Sequence, residues 1–505
     1  MTGEGDDVRA AERRKSVALT MPGLLLVMLL APLDQTSVIP ALPVIAGDLG
    51  GLDQIPAVIT AYLVAATAVL PVYGRLGDRF GRKPLLLIAL SLFVLGALLC
   101  TLAASFPMFV AARVVQGVGG GGLMIGGQAT LAEIISPRER GRYLGLIGSV
   151  AVLPAVGGPL LGGVLVDLFS WRWIFAIHLP LGAVAFVVLV LTLRLPRPTT
   201  RQPVDLFGAA ALAATVVGTV LLADLLAGDG GRPGWAVPVL AGGTLAALLL
   251  WLVSARLARD PVLPARLLRR RGFVVPVLLS FTVGFALFGT LAYVPTFAQV
   301  ALGTTATQAG FLVTALMAGA LTTMTVSGRL ITRSGRYWWS PVTGTALLAL
   351  GVLLFGLLGA SGGVPGLVAV LFLIGLGVGM VMQVVMLAAQ NATAPADLGA
   401  VTSSVLFLRQ VGASVGVALM GALITRSFAE HSPAGVAEPG DLTPETIAAL
   451  PAPTRELVAA AFGTAVPAAA LTVAPLLGVA FLLALALPAL PLRTQAQTEL
   501  DREIP

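Results

Sequence analysis

The chain is built from long apolar runs separated by short polar ones. A helix that crosses the hydrocarbon of a bilayer needs about 20 apolar residues in succession. Fourteen such stretches stand out, at 17–39, 55–73, 84–104, 107–129, 143–166, 173–193, 204–226, 236–255, 273–300, 308–328, 340–359, 364–389, 398–425 and 467–490. The pattern predicts an all-α membrane protein with fourteen transmembrane helices, and an even number places both termini on one side. The basic residues decide which side that is. Counting from the N-terminus, 25 of the 31 Lys and Arg residues fall in the segments on its side. Arg172, Arg232, Arg426 and Arg455 lie opposite, while Arg113 and Arg409 lie within helices. By the positive-inside rule both termini are expected to be cytoplasmic.

Composition agrees with the pattern and removes other classes. The chain has 505 residues with a mean hydropathy of +0.96, 57% hydrophobic and 11% charged residues. A soluble domain would carry about a quarter charged residues. The net charge of +7 is spread over short loops and gathers on no single face, which argues against a nucleic-acid surface. Cys100 is the only cysteine, so no intrachain disulfide can form. His178 and His431 are the only histidines, and no zinc site is expected. The N-terminal segment MTGEGDDVRAAERRK is charged and lacks a small-residue cleavage site, so its apolar run is read as a retained first helix. The absence of a G-x-x-x-x-G-K-[ST] loop argues against an ATP-driven pump. No nucleophile or metal cluster falls in the apolar runs, and an enzyme is not expected. Nearly all basic residues are Arg, which fits a GC-rich bacterial genome.

One polar segment is denser in signal than the rest. Residues 74–84 read GRLGDRFGRKP, and residues 328–336 read GRLITRSGR, identical to 74–82 at six of nine positions. Each copy follows an apolar helix, precedes another and falls on the inner side. The first follows helix 2 and the second helix 10. Two six-helix halves therefore carry two extra helices between them, and paired halves around a central site are a transporter architecture. The expected divisions are an N-tail at 1–16, a first half at 17–195, a linker at 196–272 with two extra helices, a second half at 273–490 with an outer loop at 427–466, and a C-tail at 491–505.

GRLGDRFGRKP resembles the loop signature G-x-L-x-D-R-x-G-R-K of the major facilitator superfamily. Further motifs are similar to those of its 14-helix drug:proton antiporter branch: PLDQTSVIPALPVIAGDL at 32–49, AARVVQGVGGGG at 111–122, GGPLLGG at 157–163 and SWRWIFAIHLPLG at 170–182. In the last of these His178 replaces the usual Asn, and Pro154 stands where the antiporter motif often has Gly. The resemblance implies a secondary active exporter. Lipophilic or cationic drug-like compounds would leave across a bacterial cytoplasmic membrane in exchange for protons, by alternating access. A transporter of the same fold dedicated to one metabolite, lipid or natural product shares every motif and stands as the alternative. The proton gradient would be the energy source, with no cofactor or metal. The partners would be a small-molecule substrate, protons and membrane lipids, and the protein is expected to be monomeric.

Individual residues follow from depth and motif. Asp34 lies about 7 Å from the outer end of helix 1 and Arg113 about 9 Å from the start of helix 4, at 1.5 Å per residue. Ionisable groups at that depth need a partner or water, so Asp34 and Arg113 are expected to pair and to couple protons. Gly74, Gly77, Asp78, Arg79, Gly81 and Arg82 form the loop expected to act as a latch, with Asp78 meeting a helix end of the other half, as the resemblance implies. Arg409 opens RQVGASVG and is expected to be a packing or gating arginine. Gly158, Pro159, Gly162 and Gly163 carry the antiporter motif, where the glycines let helices approach closely and the prolines bend helix 5. Candidate substrate contacts are Gln35, Tyr62, Gln116, Phe285, Phe288, Met382, Gln383 and Met386. Aromatics and adaptable methionines suit varied lipophilic ligands, although packing is the commoner reason for such residues on membrane helices.

Overall fold

The computed structural model describes residues 3–49, 55–195, 205–227, 235–258, 266–304, 306–394, 397–431 and 451–492. The expected C-tail beyond 492 and most of the outer loop, at 432–450, lie outside them, as does the side chain of Asp224 at the end of an inserted helix. The described elements are helical, as a lipid-facing backbone requires when no water is there to satisfy its amides. In chain order they are α1 (Gly3–Val38), α2 (Leu42–Leu49), α3 (Ile55–Phe80), α4 (Arg82–Thr101), α5 (Phe106–Ile134), α6 (Pro137–Leu168), α7 (Arg172–Ala176) and α8 (His178–Thr192). Then follow α9 (Leu206–Ala227), α10 (Ala236–Leu257), α11 (Arg271–Ala301), α12 (Ala306–Ser334), α13 (Trp339–Leu358), α14 (Gly363–Asn391), α15 (Leu398–His431) and α16 (Ala452–Leu485).

Local sequence explains where several of these begin and end. Ser136 caps α6 by accepting from the Glu139 amide at 3.3 Å, and its hydroxyl also meets the Glu139 carboxylate at 3.2 Å. With Pro137 opening the helix, this is a serine N-cap on a proline start. Gly81 (φ 91°) and Gly335 (φ 69°) occupy equivalent places in the two repeat copies and end α3 and α12 in a conformation that L side chains resist. The repeat is thus one of backbone shape as well as of sequence.

Twelve stretches among the described residues are long and apolar enough to cross a membrane. The longest, Trp339–Asn391, spans 53 residues and folds as two helices, α13 and α14, around a turn with Gly359 and Gly363 at positive φ. They run antiparallel, with Gly344 against Val381 and Gly351 against Ile374. Helix α9 contributes a shorter apolar stretch, Phe207–Thr219. The expected outer loop at 427–466 needs correction: α15 continues to His431 and α16 begins at Ala452. Pro453 at the start of α16 is pre-organised for a helix, and the alanines that follow favour it.

One half of the molecule packs around α1 and α3–α8, the other around α11–α16. Lipid is as apolar as the side chains it surrounds, so membrane helices associate through close packing at small residues. In α5 a Cβ on Gly119 would lie 2.3 Å from the Phe93 amide nitrogen of α4, and one on Gly121 would lie 2.3 Å from the Ala66 carbonyl of α3. Helix α9 lies against both α3 and α15, where Ala209 and Leu212 meet Val72 and Phe407, so it bridges the two halves. Helix α10 packs on α9, tied by hydrogen bonds from the Ser254 hydroxyl to the Asp205 carboxylate, and leaves Leu245, Leu249 and Val253 exposed. The halves meet along α3–α15 and α6–α12, with Gly74 against Gly399 and Gly148 against Met324. These contacts sit toward the end of the bundle that carries Arg75, Arg82, Arg138, Arg140 and Arg266.

Candidate functional site

Pro22 interrupts the hydrogen-bond ladder midway along α1 and Pro32 does so again in its last two turns, with Asp34 two residues on. Its side chain is fully buried. The Arg113 Nη1 of α5 donates to its Oδ2 at 2.6 Å, and Gln116 Nε2 donates to its Oδ1 at 3.0 Å. Arg113 and Gln116 are joined at 2.7 Å, so three side chains close a ring. The guanidinium lies 4.4 Å from the Tyr62 ring centre and 5.7 Å from that of Phe175, cation–π contacts that hold it in an otherwise apolar setting. Cys100 Sγ approaches Gln116 Oε1 at 3.7 Å, and His178 is buried nearby with its ring edge-to-face on Phe93. The spacing of one helical turn between Arg113 and Gln116 lets both reach the same carboxylate.

Helix α6 closes this region from the side of α1. A Cβ on Gly158 would lie 2.0 Å from Thr36 Oγ1, and one on Gly162 would lie 2.0 Å from the Ser37 carbonyl oxygen. Thr36 Oγ1 donates to the Pro154 carbonyl at 2.8 Å. Gly157 and Gly163 face open space, and Pro159 is exposed. Close approach, expected of the glycines in this motif, therefore falls on Gly158 and Gly162. These two lie four apart on one face, and the others point away from α1. A methyl group at Gly162 has nowhere to go, so Gly162→Ala is expected to cost about 1–3 kcal/mol through overpacking. A melting curve of the purified chain checks this, and an unchanged Tm would mean that α6 shifts freely on α1.

Between the halves lies a cavity of about 630 Å³. Of the eight candidate substrate contacts, Gln35, Phe288, Met382 and Gln383 line it. Tyr62 and Gln116 do not; both belong to the Asp34–Arg113 cluster. Phe285 is buried in the packing of the second half, beside Phe281. Met386 lies one turn beyond Met382 and packs with Leu70 and Val401 where the halves close. The wall also carries Gln128, Met124, Met317, Met324, Gln410 and Arg409, the arginine expected to serve packing or gating. Intramembrane polar residues are by default functional candidates, and Gln128 and Gln410 could have been singled out on that ground.

At the arginine-rich end a set of polar contacts ties the two halves together. Asp78 Oδ1 accepts from the Gly399 amide at 2.9 Å and Oδ2 from the Ala400 amide at 3.0 Å, so a carboxylate of the first half caps the N-terminus of α15 in the second. Gly74 supports this contact, since a Cβ there would lie 2.6 Å from the Gly399 carbonyl. Arg82 bridges Asp78 and Glu133, each at 2.6 Å. Asp397, at the start of α15, meets Arg266 at 2.8 Å and Arg75 at 3.9 Å. Arg140 hydrogen-bonds Gln390, which in turn donates to Thr402 at 2.9 Å. In the second repeat copy Thr332 stands in place of Asp78, and its carbonyl accepts from Arg138 of the first half at 3.4 Å. Residues 74–80, expected in a loop, instead continue α3 and only Gly81 breaks the helix; within that last stretch Arg79 lies over Phe80 and Gly77 makes no close contact. Lys83, next in sequence, donates to the last carbonyls of α8 at 2.7 and 2.8 Å.

At the opposite end, hydrogen bonds from Trp171 and Arg172 hold the Asp48 carboxyl below the usual carboxylate range. This ties α2 to the segment between α6 and α8, within the first half.

Residues 24–417 match the family model described as Major Facilitator Superfamily. An uncharacterised MFS-type transporter of Mycobacterium tuberculosis is 36% identical over 81% of this chain, and the chain spans 59% of that protein's length. The multidrug transporter protein MdtP of Bacillus subtilis is 30% identical over 80% of this chain and 75% of its own length. Among solved structures, the human organic anion transporter MFSD10 superposes with a TM-score of 0.61 over 94% of this chain and 99% of that one. At 18% identity it speaks for the fold alone. Two packed helical halves, the central cavity and a match over most of the sequence agree: the chain is a multi-pass membrane protein that belongs to the major facilitator superfamily.

Proposed function

We propose that the protein is a proton-coupled exporter of lipophilic compounds in a bacterial cytoplasmic membrane. The observation that carries this reading is the fully buried Asp34–Arg113 pair, one residue in sequence from the cavity-lining Gln35. A carboxylate can take up a proton where a guanidinium keeps its own. Protonation of Asp34 would cancel the pair and free α1 from α5. Deprotonation would re-form it. The cavity is large enough for a drug-sized ligand and is walled by apolar groups with scattered amides, as ligand pockets are. The Bacillus relative is a multidrug transporter protein, which supports drug-like substrates. The amides of Gln35, Gln128, Gln383 and Gln410 favour the second reading, a transporter dedicated to one hydrogen-bonding compound.

The same reading places fourteen crossings in the membrane. The 53-residue apolar stretch divides into two antiparallel helices, and α9 is 22 residues long, enough to span about 30 Å. The arginine-rich end, with both termini, is then cytoplasmic. In this reading the Asp78 contact is the inner seal of an outward-facing state, and substrate leaves on the other side. The protein acts as a monomer driven by the proton gradient alone.

Everted vesicles loaded with a pH-sensitive dye test the coupling. Addition of substrate is expected to release protons from the acidified lumen, and a proton uncoupler is expected to stop substrate uptake. Uptake that persists with the uncoupler would overturn antiport.

A further inference from the structure

The cavity wall carries a charge that proton coupling does not use. Among the described lining residues Arg409 is the only ionisable side chain, and the other polar groups are amides and hydroxyls. No described carboxylate lies within ion-pair distance of its guanidinium. Asp34, in the same region of the bundle, is fully buried, engaged with Arg113 and Gln116, and absent from the wall. An arginine keeps its proton under all ordinary conditions. A permanent cation without a counter-charge is therefore built into a chamber of low polarity, where an unpaired charge is costly. The same low dielectric makes the chamber repel a second cation and attract an anion.

We propose that the cavity takes lipophilic organic anions, compounds with one carboxylate on an apolar body, and that Arg409 is their counter-charge. This rests on the export reading and replaces the cationic compounds expected from the sequence. The planar guanidinium offers a carboxylate two parallel donors, and Gln410 and Gln383 stand on the same wall to orient it. Met124, Met317, Met324, Met382 and Phe288 offer a soft apolar surface that adapts to bodies of different shape. Arg409 also lies on α15, ten residues or about 15 Å from Gly399, so the counter-charge and the inner seal share one rigid element. An inside-negative membrane potential favours outward movement of an anion.

Equilibrium binding decides this without any proton gradient. Three probes share a dansylaminoundecyl body and differ at one end: the carboxylic acid, its methyl ester and a trimethylammonium analogue. With the full chain in lipid nanodiscs, the acid is expected to bind about tenfold tighter than the ester, as a charge-assisted bidentate contact implies, and the ammonium weaker than both. Arg409→Gln is expected to bring the acid to within about threefold of the ester while the ester's own Kd holds, and Arg409→Lys to keep part of the preference. The proposal is overturned if the ammonium probe binds as tightly as the acid, or if Arg409→Gln leaves the acid's advantage intact. Should Arg409→Gln fail to fold, the order of affinities in the unmodified chain decides alone. Loss of uncoupler-sensitive export with the acid preference retained overturns the export reading only, and the reverse result overturns the anion reading only.

Discussion

Asp34→Asn is expected to abolish proton-driven export and, at the same time, to lower stability by about 3–5 kcal/mol, the cost of leaving one member of a buried ion pair without its partner. Asparagine keeps the shape of aspartate but presents one oxygen and one amide nitrogen where two acceptors stood. Arg113 and Gln116 both donate toward this group, so one of them would face a donor. The buried guanidinium would then lack a counter-charge. The loss of stability makes the single variant ambiguous by itself, and the double variant resolves it. Asp34→Asn with Arg113→Gln removes both charges from a site already bounded by Tyr62 and Phe175. Stability is expected to recover to within about 1–2 kcal/mol of the unmodified chain, since neutral replacement of a buried pair is often tolerated, while proton-coupled export stays absent. Thermal unfolding of the purified chains and substrate-induced proton release in everted vesicles provide the two readouts. If the double variant regains proton-coupled export along with stability, the pair serves folding alone, and coupling must lie elsewhere.

That pair illustrates what the sequence makes readable. Charges are rare on membrane helices, so Asp34 and Arg113 stand out, and equal depth on two helices is simple arithmetic on a rise of 1.5 Å. The Asp78 contact is legible for a different reason: the repeat keeps Gly74, Gly81 and Arg82 in both copies and changes Asp78 to Thr332. What one copy alone possesses is the natural place to look for a specific contact. The wall of the cavity is harder to read. An apolar helix shows weak periodicity because lipid and protein neighbours select the same side chains. Rotation about the axis is therefore hidden, which is why Gln35 and Met382 face the cavity while Phe285 and Met386 are buried in packing. Gly158 and Gly163 look alike in GGPLLGG, yet only Gly158 of these two touches α1. Arg409 was visible as an intramembrane charge, but which chamber it faces depends on how α15 turns against α11, a property of the assembled bundle. The turn at Gly359–Gly363 is a case of the opposite kind: the glycines that reverse the chain are in plain sight between two apolar runs.

Gly399→Val is expected to open the seal. A Cβ at Gly399 would lie 2.3 Å from the Gly74 carbonyl oxygen and 2.6 Å from Asp78 Oδ1, distances at which backbone or carboxylate must move. The side chain would push α3 and α15 apart at their closest approach and break the two amide hydrogen bonds to Asp78. Hydrogen bonds to a charged group contribute about 1.5–3 kcal/mol each. The state closed at this end would lose about 3–6 kcal/mol, roughly a 10²- to 10⁴-fold shift in population toward one open there. Ser403 reports this directly, because it is 2% exposed and packs against Gly74 behind the seal. In a Cys100→Ser background, Ser403→Cys is expected to resist a membrane-impermeant maleimide in everted vesicles. Adding Gly399→Val is expected to make it reactive. Asp78→Asn is expected to give intermediate labelling, since an asparagine oxygen can still accept from one of the two amides. If labelling stays silent in both variants while export is lost, α15 is not held by its N-terminus, and the closed end of the cavity must be sustained by Arg140, Arg138 and the Asp397 cluster instead.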